Sequence, residues 1–166
     1  TGALSRRAFF GQAERAHAHA QREGDALSLL IFDVDHFKTI NDTHGHAVGD
    51  QVLADLVART DGVLRGVSCA RLGGEEFAVL LARTDADAAV RQADELRRAL
   101  ERACLPASAD AVVRYTVSVG VASLDAGETL SGLLQRADAA LYAAKRAGRN
   151  RVGDARALGT DDAMSA

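Results

Sequence analysis

The stretch RLGGEEFAVLL, Arg71 to Leu81, decides how this chain is read. Its glycines and adjacent glutamates interrupt apolar runs that would otherwise form one continuous strand. The spacing and glycine content predict a hairpin, with strands over 68–72 and 77–82 joined through Gly73-Gly74-Glu75-Glu76. That turn sets two carboxylates side by side, where like charges repel. An acid pair at a hairpin turn can be simply solvated, or it can face a cation.

Upstream, LSLLIFDV over 27–34 predicts a buried strand, rich in β-branched and aromatic residues, that runs into acid at Asp33 and Asp35. If this strand neighbours the hairpin, Asp33, Asp35, Glu75 and Glu76 converge on one sheet edge. Divalent cations relieve such crowding, and Mg²⁺ prefers hard oxygen ligands with room left for substrate phosphates. Gly73 and Gly74 allow a bulky ligand to approach the backbone. The acids therefore read as a metal grip, and the metal as a phosphate grip.

Other metal motifs fit worse. An EF-hand starting at Asp33 would put Phe37 at a ligand position and Lys38 where glycine is needed. His36, His44 and His46 are irregularly spaced for zinc and have no cysteine nearby. Nucleophile elbows, P-loops and dinucleotide fingerprints are absent from the sequence. Among the cations, Lys38 lies just beyond the acidic strand end. Lys145 and Arg149 stand i,i+4 across the end of a helix, as dipole partners or as a clamp for a triphosphate.

The remaining chain fits one domain of α+β class. Helices are expected from Ser5 to about Arg22, from about Asp50 to Leu64 with Asp50 as a cap, over 85–104, and from Thr129 to Ala147. A strand is expected over 112–122 and a short closing strand at Arg151–Val152. The order gives a βαββαβ core flanked by helices. The 166 residues are 48% hydrophobic, enough for a sizeable core, and the net charge of −3 offers no strong positive field to nucleic acid or membrane. Cys69 and Cys104, the only cysteines, read as core thiols of a reducing cytosol. No apolar run reaches the ~20 residues of a membrane span. The domain is expected over 1–153, with 154–166 a flexible tail.

TGALSRRAFF at 1–10, FDVDHFKTINDTHGHAVGD at 32–50, RLGGEEF at 71–77, VSVGVA at 117–122 and ADAALYAAKRAGRN at 137–150 together resemble the GGDEF family of diguanylate cyclases. The resemblance covers nearly the whole chain. It implies a nucleotidyl-cyclase fold akin to polymerase palms, with an antiparallel-rich sheet. It also implies a reaction, in which two GTP condense to cyclic di-GMP and release two pyrophosphates. Carried over by position, Asp33, the Val34 carbonyl and Glu75 would bind Mg²⁺, with Mn²⁺ a possible substitute. Glu75 would accept the proton of the attacking ribose hydroxyl. Lys38 would stabilise phosphate charge, beside the amides around His36 and Phe37. Asn41 and Asp50 would read the guanine edge, with His46 in the same pocket, and Lys145 and Arg149 would hold the outer phosphates.

A single GTP pocket cannot close a ring from two GTP, so the resemblance implies a homodimer, an upstream sensor or receiver domain in the parent chain, and a cytoplasmic place for this domain whether or not that parent is membrane-anchored. The family's R-x-x-D product-inhibition motif would begin nine residues before Gly73, where Leu64 and Val67 replace the Arg and Asp. No inhibitory site is therefore expected. Ser5 replaces a common Asn, and Leu72 a frequent aromatic. The alternatives are a catalytically silent GTP-binding regulatory module and a cyclase of altered base choice. Retention of Asp33, Lys38 and Glu75 weighs against the first, and Asn41 with Asp50 against the second.

Overall fold

The computed structural model describes residues 1–164, with side chains through residue 159. In chain order the elements are α1 (Arg6–Glu23), β1 (Leu27–Val34), α2 (Phe37–His44), α3 (His46–Val63), β2 (Ala70–Gly73) and β3 (Glu76–Ala82). They continue with α4 (Ala86–Glu101), β4 (Leu105–Ser108), β5 (Ala111–Val113), β6 (Val117–Ser123), α5 (Leu130–Arg146), β7 (Val152–Asp154) and α6 (Ala155–Met164). The main sheet has the order β2-β3-β1-β6-β7, antiparallel except for the β6–β7 pair. β4 and β5 form a separate hairpin. This is the expected α+β fold with a βαββαβ core.

β1 runs up the centre of the sheet and is buried along its whole length. Successive side chains alternate between faces. Leu30, Phe32 and Val34 enter one apolar cluster with residues of α3 and α4, and Leu27, Leu29 and Ile31 enter a second with residues of α1 and α5. Phe32 stacks on Phe77 of β3 with ring centroids 6.0 Å apart. By the same period of two, Asp33 follows Leu29 and Ile31 onto the face covered by α5.

The helices begin where side-chain acceptors stand. Ser5, Asp85 and Thr129 each accept a backbone N–H in the first turns of α1, α4 and α5. α5 presses against the sheet because β6 and β7 carry glycine where it crosses. A Cβ on Gly120 would stand 2.2 Å from the Ala137 carbonyl, and one on Gly153 would stand 2.2 Å from that of Ala140. The close approach fixes the C-terminal end of α5 beside the end of β1.

Four expectations need correction. The polar segment after β1 is helical, as α2 and the start of α3, so Asp50 lies inside α3 and is not a cap; the residue before α3 is Gly45. The strand expected over 112–122 is split into β5 and β6, which belong to different sheets, and Pro106 lies in β4. Cys69 is buried but Cys104 is exposed, Ala103 taking the inward position. Burial pushes the Cys69 thiol up to about 12. The segment expected as a loose tail is helix α6 through Met164, anchored by buried Ala155 and by Arg156, which bonds Asp154 and reaches Asp87 at 2.8 Å. Residues 165 and 166 of that tail lie outside the described residues.

Candidate active site

The hairpin does neighbour β1. Asp33 faces Glu76 in the β1–β3 register, and the Val34 N–H donates to the Glu75 carbonyl at 3.4 Å. Asp33 is 9% exposed. Burial pushes its carboxyl above the usual range, and the charges of Glu75 and Asp35 add to that, while the Lys145 ammonium pulls it down. Glu76, on the same face, is also raised, first by burial and then by Asp138 of α5 and by Asp33. Glu75 is half-buried at the turn. Gly74 holds φ 51°, the Arg71 Nε–H donates to its carbonyl at 2.8 Å, and nothing lies within 4 Å of a Cβ built on Gly73 or Gly74. The turn is braced from below and open above.

A cation already occupies this edge. Lys145 Nζ donates to Asp33 Oδ2 at 2.7 Å. The residue expected only at outer phosphates is thus paired with the carboxylate of the expected metal grip. Lys38 is turned away, its side chain 90% exposed and its amine 3.1 Å from Asp42 Oδ2.

Asp35 does not join the grip, contrary to the reading of the converging acids. Its Oδ1 accepts from the Ser118 hydroxyl at 2.7 Å, and its Oδ2 from the Thr116 hydroxyl at 2.7 Å and the Asn150 N–H at 3.0 Å. Hydroxyl and amide donors, not an ion, satisfy it. Among the described residues no group of three or more His, Cys, Asp or Glu side chains could hold a metal. The available donors are the carboxylates of Asp33 and Glu75 and main-chain oxygen at Val34. That set is hard and sparse, which suits Mg²⁺ bound through one or two carboxylates with substrate phosphates completing the shell. The residues fit such an ion.

Beyond the edge, His36 precedes α2 in the left-handed region, φ 54°, with no side-chain cap on the helix. The first N–H groups of α2, from Phe37 onward, therefore lack an internal side-chain acceptor beside the end of β1. Asn41 lies against α3. Its Oδ1 is buried without a hydrogen-bond partner, and a Cβ built on Gly49 would fall 1.9 Å from that oxygen. His46 and Asp50 are exposed on the first turns of α3, on either side of Gly49 in sequence. Leu64 is 4% exposed within the α3–α4 core and Val67 packs against that core. At the far end of α5, Gly148, Arg149 and Asn150 have φ of 123°, 64° and 45°. Such a conformation costs a residue with a side chain about 1–2 kcal/mol.

The family model described as diguanylate cyclase, GGDEF domain, matches residues 1–151. This chain belongs to the GGDEF domain family. The GGDEF domain is 40% identical over 153 residues to the diguanylate cyclase DgcM of Escherichia coli strain K12, covering 92% of this chain and 36% of that protein. It is 39% identical over 155 residues to the diguanylate cyclase VdcA of Vibrio cholerae, covering 92% of this chain and 44% of that one. It therefore spans less than half the length of these relatives. Among solved structures, the GGDEF domain of DgcB from Caulobacter crescentus in complex with c-di-GMP superposes with a TM-score of 0.87 at 40% identity, covering 93% of this chain and 90% of that one. The active GGEEF domain of a diguanylate cyclase from Vibrio cholerae gives a TM-score of 0.84 at 35% identity, covering 91% and 96%. Its signature reads as Gly73 to Phe77 do here.

Two features of this GGDEF domain were not legible from motif spacing. The Asp35–Asn150 bond closes over a sequence gap of 115 residues. Gly49 makes room for Asn41, and in sequence it was only one of the glycines of the polar segment before the expected helix.

Proposed function

We propose that this domain is one half-site of a diguanylate cyclase, binding one GTP with Mg²⁺ and condensing it with the GTP of a facing copy into cyclic di-GMP and two pyrophosphates. The observation that carries the reading is the meeting of Asp33 and Glu75 at one sheet edge, with a cation already drawn onto the more buried acid. Mn²⁺ serves in place of Mg²⁺. The ion supplies charge neutralisation on the phosphates.

The residues supply the rest. Asp33, Glu75 and the Val34 carbonyl hold the ion. The uncapped N-terminus of α2, at His36 and Phe37, points N–H groups toward phosphate oxygens, and Lys38 swings from its exposed pairing with Asp42, which holds it by about 0.5 kcal/mol. The unpartnered Asn41 oxygen and the Asp50 carboxylate accept from the ring N–H and amino group of guanine, with His46 at the pocket rim. Lys145 and Arg149 grip the outer phosphates. Glu75 takes the proton of the ribose 3′-hydroxyl as that oxygen attacks the α-phosphate of the facing GTP, and pyrophosphate leaves. Positioning and charge neutralisation dominate such a transfer. Because each copy holds one nucleotide, turnover requires a homodimer, brought together in the longer parent chain by an upstream sensor or receiver domain in the cytoplasm. Among the described residues no helix is long and apolar enough to cross a membrane.

The test is incubation with Mg²⁺ and GTP, ATP or both, with identification of products across protein concentrations. Cyclic di-GMP from GTP alone, formed faster than linearly with concentration and lost in Asp33→Asn and Glu75→Gln proteins that still fold, is the expected result. GTP binding without product would instead mark a silent regulatory module, and unchanged turnover in the variants would remove the metal assignment.

A further inference from the structure

Asp35 stands outside the ion grip, yet it is 6% exposed and fully engaged. The most distant of its three partners in sequence lies in the turn that leaves α5: the Asn150 N–H, at 3.0 Å. That turn holds three successive residues at positive φ, two of which carry side chains. Asn150 belongs to a residue type that tolerates that region, but Arg149 rarely adopts it unaided. Asn150 is also held from α4, donating from Nδ2 to Glu101 at 2.7 Å and accepting from Arg97 at 2.8 Å on Oδ1. Arg149 is thus fixed between two anchors. Its own N–H donates to the Ala144 carbonyl at 3.1 Å, and the next residue is bolted to Asp35.

We infer that Asp35 is a positioning residue for the phosphate grip, holding the 148–150 turn so that Arg149 stays with Lys145 at the end of α5 beside Asp33. The inference rests on the proposed binding of a nucleoside triphosphate at this edge. Asp35 touches neither substrate nor ion, and acts through the Asn150 N–H. The hydroxyls of Thr116 and Ser118 keep its oxygens aligned from β6 and the segment before it.

The test compares Asp35→Ala, Arg149→Ala and the double variant in the full 166-residue chain. The readouts are equilibrium affinity for a non-hydrolysable GTP analogue with and without Mg²⁺, KM and kcat for GTP, and melting temperature. Asp35→Ala is expected to weaken analogue binding about tenfold, the size of one lost charge-assisted contact, with KM rising more than kcat falls. In the Arg149→Ala background the same change should add less than about twofold, because coupled residues are not additive. Asp35→Asn should restore binding. Its Oδ1 can accept from Thr116 and Asn150 while its amide donates to the Ser118 hydroxyl.

Unchanged affinity in Asp35→Ala, or an equal loss with and without Arg149, overturns the inference. Should Asp35→Ala fail to fold, Asp35→Ser keeps a hydroxyl among those of Thr116 and Ser118 but is too short to hold the Asn150 N–H. It must then show an affinity loss that vanishes without Arg149, and an uncoupled or absent loss overturns the inference equally. A wild-type protein that binds no analogue overturns the proposed function as well, whereas wild-type binding with uncoupled variants overturns only the role of Asp35.

Discussion

Lys145 Nζ stands 2.7 Å from Asp33 Oδ2, so the last turn of α5 supplies the positive charge that the end of β1 lacks. The carboxylate side chain is 13% exposed and the lysine side chain 32%, which places the pair between surface and interior. Removing one partner of such a pair costs more than the pair is worth, because the other charge is left half-desolvated.

Lys145→Met is therefore expected to destabilise the ion-free protein by about 1–3 kcal/mol. Added Mg²⁺ should recover part of that loss, so the rise in melting temperature between EDTA and Mg²⁺ should be larger in the variant than in wild type. Thermal melts under both conditions check this. Equal rises would mean that the amine and the ion do not share a charge position.

Glycine has opposite consequences at two helix-associated positions. Gly120→Ala drives a methyl into the backbone of α5, 2.2 Å from the Ala137 carbonyl and 2.4 Å from the Leu141 nitrogen. Neither atom can turn aside, and a loss of about 3 kcal/mol or more is expected. Gly62 lies in α3 with nothing within 4 Å of a built Cβ, so Gly62→Ala should stabilise by about 0.5–1 kcal/mol. Urea unfolding of both proteins measures the two signs.

The central strand and the hairpin were legible because period and turn chemistry agree locally. LSLLIFDV is continuously apolar up to its acid, and GGEE can only turn. The helices with side-chain caps, α1, α4 and α5, were legible for the same reason. α2 was hidden because its residues, Phe37 to His44, bury only Ile40, and a polar run with so little apolar period reads as loop. The break between β5 and β6 was hidden because VVRYTVSVGVA alternates straight through it. In the site, Asp33 and Glu75 stood out by their positions at strand ends. Asp35 was read with them because spacing in sequence does not say which donors meet a carboxylate. The partners of Asp35 come from β6, the segment before it and the turn after α5, a long-range assembly that no local pattern encodes.

The Asn41 oxygen is buried without a partner, and Gly49 is what lets it lie there. An unpaired buried acceptor costs about 1–3 kcal/mol, recovered when a ligand donor fills it. Gly49→Ala should displace the Asn41 amide and raise KM for GTP about tenfold or more, with a smaller change in kcat. Asn41→Ala should raise KM similarly, and the two changes together should cost little more than either alone. Steady-state kinetics of the three variants decide it.

Leu64 and Val67 are committed to the α3–α4 core, and Arg65 on the exposed turn between them has no acid at the position of Val67. Initial rates of GTP turnover should accordingly be insensitive to cyclic di-GMP added below the level at which it competes for the active site. Non-competitive inhibition in rate measurements, abolished by Arg65→Ala, would show a product site where none is expected.

At the opposite end of the sheet, Glu128 ties three segments together. Its carboxylate accepts from Arg136 through both oxygens at 2.7 Å and from the Asp125 N–H at 3.0 Å. Its carbonyl meets the His17 ring at 2.7 Å and accepts from Gln21 at 2.8 Å on α1. The Arg136 hydrogen bonds hold the carboxyl below its ordinary value of 4.5. A depressed carboxyl contributes stability in full above its unfolded value and loses it as pH falls through the folded value. Glu128→Gln should therefore cost about 1–2 kcal/mol at pH 7, a difference that holds down to about pH 5 and shrinks below pH 4.5 as the wild-type carboxyl takes up its proton. Unfolding free energies of both proteins along a pH series measure the gap. A gap that stayed constant into acid would assign the loss to packing of the side chain and not to its charge.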